Sequence, residues 1–181
     1  MPIYAFEGRR PRIARDAFVH PDAVLIGGVS LGSEASVWPG AVLRADFGEI
    51  SVGARTSVQD GTVVHTTEEW PTIVGADCVI GHNAHLEGCT VEDHCLVGSM
   101  SVVLTRARVR SYSVVGAAAL VPEGLDVPEH SMVLGVPGRI RPLTGDEHLR
   151  WIEFGVGVYT DAARRYPAQL RRLDPDDCRE P

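Results

Sequence analysis

No stretch of this 181-residue chain approaches the ~18 consecutive apolar residues that a membrane helix needs. Its opening, Met-Pro-Ile-Tyr-Ala, lacks the charged and then apolar build of a secretion signal. A cytoplasmic protein with no membrane partner is therefore expected. The four cysteines, Cys78, Cys89, Cys95 and Cys178, contain no C-x-x-C pair, so the usual mark of a thiolate metal site or redox dithiol is missing. They read as reduced thiols that behave as small apolar residues. Basic surface is scarce as well. The net charge is −7, and the only compact basic cluster is Arg164, Arg165, Arg171 and Arg172. Neutralising phosphates needs a basic face, so nucleic acid is not an expected partner, and these arginines read as a solvated helix face.

Helical periodicity is also missing from most of the chain. Aliphatic residues recur every six instead, at Val19, Leu25, Leu31, Val37 and Leu43, then Val52, Val58 and Val64, then Val74, Ile80 and Leu86. The series ends with Val91, Val97, Val103, Val109, Val115 and Val121. A helix turns about 100° per residue, so steps of six give it no common face. A strand accepts six because six is a multiple of two, yet a continuous strand of that length is not globular. The chain must bend at regular intervals, and Gly, Ala, Ser and Asp crowd the places between the aliphatics, as at Gly27-Gly28, Gly53-Ala54 and Gly75-Ala76-Asp77. The expected fold is a β architecture, the parallel β-helix of hexapeptide repeats, with three sides and about 18 residues per coil at a strand spacing of ~4.8 Å.

The spacing has three irregularities. Leu43 to Val52 is nine residues, Val64 to Val74 ten, and Leu86 to Val91 five. The second carries an outward loop with Glu68, Glu69, Trp70 and Pro71, and solenoids place functional loops at such interruptions. After Pro142 the period becomes helical, with apolar residues at Leu149, Ile152, Val156, Tyr159, Ala163, Tyr166, Leu170 and Leu173. Thr144 and Glu147 have capping-box spacing, and Pro167 should kink or break the helix. The expected organisation is a β-helix over 1–142, ending in the strap 134–142, and a helical segment over 143–181 packed along it.

The residue after each inward aliphatic points outward, which puts Arg44, Gln59, His65 and Glu87 in one class. His65 and Glu87 are 22 residues apart; discounting the four-residue loop leaves 18, one coil, so they should stack about 5 Å apart, close enough to share an ion. His85 shares that outward side, while His82 follows Gly81 at a bend and should project towards whatever lies beside the prism. His20, His94, His130 and His148 read as ordinary surface residues.

The stretches "VWPGAVLRADFGEI", "TSVQDGTVVHT", "VIGHNAHLEGCTVEDHCLVGSMSVVL" and "MVLGVPGRI" resemble the γ-class carbonic anhydrase family of left-handed β-helix proteins, over most of the chain. The resemblance implies a homotrimer with a metal, usually zinc and otherwise iron or cobalt, in each cleft between subunits. His65 and position 87 would come from one subunit and His82 from its neighbour. The family has a third histidine where this chain has Glu87; two histidines and a glutamate form a known catalytic zinc set, with His85 as the other candidate for third ligand. Arg44, Asp46, Gln59, Asp60 and Tyr159 match the family's remaining site positions, and Ser57 stands where the family usually has asparagine. The implied reaction is hydration of carbon dioxide to bicarbonate by metal-activated water, weakened by the anionic ligand. An acyl or thioester hydrolase or acyltransferase on the same scaffold, and a non-catalytic trimeric scaffold, remain the alternatives.

Overall fold

The computed structural model describes residues 2–179 and turns the six-residue repeat into a three-sided prism. On the first side Leu25, Leu43, Val64, Leu86, Val103 and Val121 lie in register, one per coil. Val52, Val74, Val91, Val109 and Val127 do the same on the second side. The third carries Val19, Val37, Val58, Ile80, Val97, Val115 and Val133. Apart from Val19 in the first coil, each of these is at most 2 % exposed. Burying one such side chain contributes about 1.5–3 kcal/mol, so these columns dominate stability. The result is the expected left-handed hexapeptide β-helix, a parallel solenoid of about seven coils with a C-terminal helix. Cys78, Cys89 and Cys95 take buried places in it as free thiols, and burial pushes the Cys89 thiol up to about 12.

Each spacing irregularity has its own structure. Strand Val42–Val52 slips against Val24–Leu31 so that Gly27 faces Ala45 and Gly28 faces Glu49, leaving Asp46, Phe47 and Gly48 as an outward bulge. The ten-residue step is the loop 66–71, closed by the Thr66 hydroxyl donating to the Trp70 carbonyl at 2.8 Å. The five-residue step turns at Gly88, whose φ of +56° and close approach to Thr105 and Trp70 leave little room for a side chain.

One corner of the prism carries Glu34, Arg55, Asp77, His94, Tyr112 and His130, one per coil, all at φ between 52 and 61°. This left-handed conformation is costly for non-glycine residues, and bonds to the coil before offset it: the amides of Asp77 and His94 donate to the carbonyls of Ala54 and Ala76, both at 2.9 Å. The rings of His94, Tyr112 and His130 stack in parallel, with centroids 5.0 and 5.2 Å apart.

Helix α1, Glu147–Gln169, runs back along the third side with Ile152 and Val156 against Val79 and Val114. Its two ends are fixed to the two ends of the same corner: His148 meets His130 edge-on at 5.8 Å, and Arg164 pairs with Glu34 at 2.8 Å. The span fits. Sixteen residues of helix (164 − 148) rise about 24 Å, and five coil steps also cover about 24 Å.

Four expectations about this region are corrected. The buried helix face is His148, Ile152, Val156, Thr160 and Ala163, whereas Leu170 and Leu173 are exposed, because the helix and its period stop at Gln169. Pro167 sits inside the last turn instead of breaking the helix before it. No capping box forms: Asp146 is the N-cap, which places Glu147 at the first helical position, too early to reach back to Thr144. His20 and His148 are buried and not surface residues, because His20 packs edge-on to Phe18 and accepts from the Asp22 amide, while His148 lies on the buried face of α1 against His130.

Candidate functional site

Strands Val42–Val52, Val63–His65 and His85–Glu87 lie side by side, with Arg44 beside His65 and His65 beside Glu87. The stacking expected of His65 and Glu87 is therefore present, with Nδ1 of His65 3.3 Å from Oε1 of Glu87. The other ring nitrogen, Nε2, faces Asp46 Oδ1 at 3.1 Å. Asp46 comes from the outward bulge and is held on its far side by Arg44. Desolvation pushes the Asp46 carboxyl up, but the hydrogen bonds from Arg44 and His65 outweigh it, so its pKa lies below the ordinary value. Arg9 clamps the bulge through the carbonyls of Asp46 and Gly48 at 2.6 and 3.2 Å, and Phe47 shields His65 with its ring 5.9 Å away. His85 reaches the outer Glu87 oxygen at 3.4 Å, so Glu87 stands between two imidazoles.

A second group forms at the bend before the same side. The Nδ1 of His82 is 2.9 Å from Asp60 Oδ2, and its Nε2 faces the Tyr159 hydroxyl of α1 at 3.4 Å. Asp60 and His82 are one coil apart (82 − 60 = 22), the same count that joins His65 to Glu87, because both pairs span the loop 66–71. That arithmetic would have found the pair from sequence, and the sequence reading placed only one of the two. Desolvation, and then the charge of Asp60, raise the Tyr159 pKa.

Both histidines therefore have one ring nitrogen backed by an aspartate, while the other faces the Glu87 carboxylate in His65 and the Tyr159 hydroxyl in His82. Histidines that bind metals are usually oriented in this way, their second nitrogen donating to a carboxylate. Two ligands on a tetrahedral zinc ion at about 2.0–2.2 Å stand about 3.3 Å apart, which matches His65 and Glu87. The donors fit zinc. His82 does not join them within one chain, since it sits in the turn that precedes strand His85–Glu87 and is directed at Asp60 and Tyr159. Accordingly, among the described residues no three His, Cys, Asp or Glu side chains of a single chain are arranged to hold a metal.

The comparisons with known proteins bear on what this arrangement belongs to. Residues 71–105 match the family model of the bacterial transferase hexapeptide (six repeats). The carnitine operon protein CaiE of Escherichia coli O157:H7 is 37% identical over 175 residues, covering 97% of this chain and 89% of that protein. The chain belongs to the CaiE-containing, γ-class carbonic anhydrase-like family. Among solved structures, a hexapeptide transferase family protein from Anaplasma phagocytophilum superposes with a TM-score of 0.87 at 32% identity, over 91% of this chain and 98% of that one. A Bacillus cereus protein carrying the name of an acetyltransferase gives 0.89 at 28% identity, over 93% and 98%.

The resemblance expects histidine where Glu87 stands and asparagine where Ser57 stands, and the structure places both residues. Glu87 points outward beside His65. Ser57 is fully buried on the helix side, where its hydroxyl accepts from the Trp38 indole at 2.9 Å. Trp38 in turn holds Tyr159 and Tyr166 edge-on at 5.6 and 4.9 Å. Ser57 thus serves the packing that positions Tyr159. Gln59 is buried beside Asp60 at the same bend. No described helix is long and apolar enough to cross a membrane.

Proposed function

We propose that this protein is a carbonic anhydrase-like metalloenzyme acting as a homotrimer, with zinc held between His65 and Glu87 of one subunit and His82 of the next. One observation carries the reading: two carboxylate-backed imidazoles lie at opposite ends of one side of the prism. Neither is complete alone. A cyclic head-to-tail assembly joins unlike patches, so each end of the side would meet the other end on a neighbouring copy. Bound there, zinc would supply a nucleophile at neutral pH by acidifying a coordinated water, and iron or cobalt could take the same donors. Asp46 and Asp60 would then fix the ring orientations of His65 and His82. Gln59 would orient the substrate, carbon dioxide or bicarbonate, and Arg44 would hold Asp46 ionised. The anionic Glu87 lowers the positive charge felt in the cleft, so hydration would be slower than with a third histidine.

A second reading, acyl transfer or thioester hydrolysis, is supported by the transferase names of the structural neighbours. Metal content of the purified protein and stopped-flow hydration of carbon dioxide, with zinc and with ferrous or cobalt ion, separate the two. Stoichiometric metal together with hydration, increased in Glu87→His, is the expected outcome. Metal-free protein, or metal with no hydration in either form, refutes the proposal.

A further inference from the structure

The basic cluster near the C-terminus and the apolar residues beside it have no part in the metal cleft. A trough of about 370 Å³ runs between the first coil and the end of α1, lined by Ile13, Ala17, Phe18, Val19, Tyr166 and Leu170 among others. Its walls are mostly carbon. Ile13, Tyr166 and Leu170 are at least 36 % exposed, so apolar surface here faces water. Through Pro21 and Leu170 the trough continues into a second cleft of about 400 Å³, which Arg171, Arg172, His20 and Asp22 line. Among the described residues, none of the tail fills either: Leu173 is 61 % exposed, and the 3-10 turn Pro175–Cys178 buries no residue.

Charge identifies the occupant. The chain carries 24 acidic against 17 basic residues, and four of those 17 fall within residues 164–172. Arg164 is taken by Glu34, but Arg171 and Arg172 have no carboxylate partner among the described residues. Asp22 is the one acid in their cleft, and its side chain is 80 % exposed. An apolar trough that opens onto two unpaired guanidinium groups is complementary to an aliphatic chain ending in a carboxylate, which arginine grips through two parallel hydrogen bonds. The two volumes lie in the range of small-ligand sites, which are mostly apolar with a few placed polar groups. A protein partner would instead cover a broader face of about 800 Å².

We propose that this trough binds the chain of a medium-length fatty acid, its carboxylate held by Arg171 and Arg172. Titrating the full chain with sodium decanoate by calorimetry should show saturable binding of one molecule per chain. Decanol should bind at least about tenfold more weakly, and so should decanoate to the Arg171→Glu/Arg172→Glu variant, whose exposed changes lie beyond the helix. Ala17→Trp, which plugs the trough floor, should abolish binding while the helical circular dichroism is kept. Absence of saturable decanoate binding overturns the proposal. So does equal binding by either variant, or a self-associated species that decanoate neither dissociates nor binds, which would assign the trough to a second copy.

Discussion

The two histidine groups are built alike but held differently. His65 and its carboxylates belong entirely to the solenoid: three adjacent strands fix Arg44, His65 and Glu87, and the bulge that brings Asp46 is clamped by Arg9. Its side chain is 13 % exposed. His82 is 44 % exposed and depends on two different supports, Asp60 from the coil below and Tyr159 from a helix that is far away in sequence. The first group is organised within a single chain, whereas the second is open on the side where a partner would complete it in the proposed trimer. Pre-organisation in a β-helix thus comes from coil stacking, and what lies at a bend is free to reach elsewhere.

The largest test of this difference is complementation. His65→Ala and His82→Ala subunits should each lose metal and hydration when assembled alone. Refolded together in equal amounts they should regain about one site in four, because about three rings in four are mixed and each mixed ring has one of its three junctions with both halves intact. Metal analysis and activity of the mixture decide it, and no recovery would put both halves in the same subunit or remove the shared site. The next effect is on stability. Leu86→Ala deletes a fully buried axial side chain next to Glu87 and should cost about 2–5 kcal/mol in urea unfolding. His85→Ala, on the outward side of the same strand, should stay within about 0.5 kcal/mol.

Asp46→Asn and Asp60→Asn sharpen the comparison further. Each should weaken zinc binding about 10–100-fold by competition with a chelator. Asp46→Asn should also change the acid limb of stability. Because the folded pKa of Asp46 is lowered, its contribution is complete above the ordinary carboxylate value near 3.9 and lost as pH falls through the folded value. The stability gap between wild type and Asp46→Asn should therefore close as pH falls below the ordinary carboxylate range. Smallest is Tyr159→Phe, which should leave the melting temperature nearly unchanged and alter only the metal affinity of the His82 half.

The prism, its axial residues and the contact of His65 with Glu87 were legible because a strict count of residues determines register. A coil has few ways to close, and each irregularity in spacing proved to be a local insertion or deletion. The neighbours of His82 were harder to read for two reasons. Asp60 obeyed the same count but sits at a bend, outside the alternation that sorts inward from outward along a strand. Tyr159 belongs to a helix whose docking depends on long-range contacts, such as Arg164 with Glu34, that no local period encodes. The helix start was misplaced for a similar reason, since capping-box spacing between Thr144 and Glu147 does not say which residue begins the helix.

A stack of repeats has no internal instruction to stop, and one more coil would bury its aliphatics as well as the last. Helix α1 supplies a stop. It is anchored to Glu34 at one end of a corner and to His130 at the other, so its length acts as a ruler for the number of rungs between them. Inserting or deleting a whole coil within that interval would leave the core intact yet slide one anchor off its mark by about 4.8 Å. The helix therefore keeps both anchors only at the present number of coils, and a change in that number would have to be matched by a change in helix length to restore them.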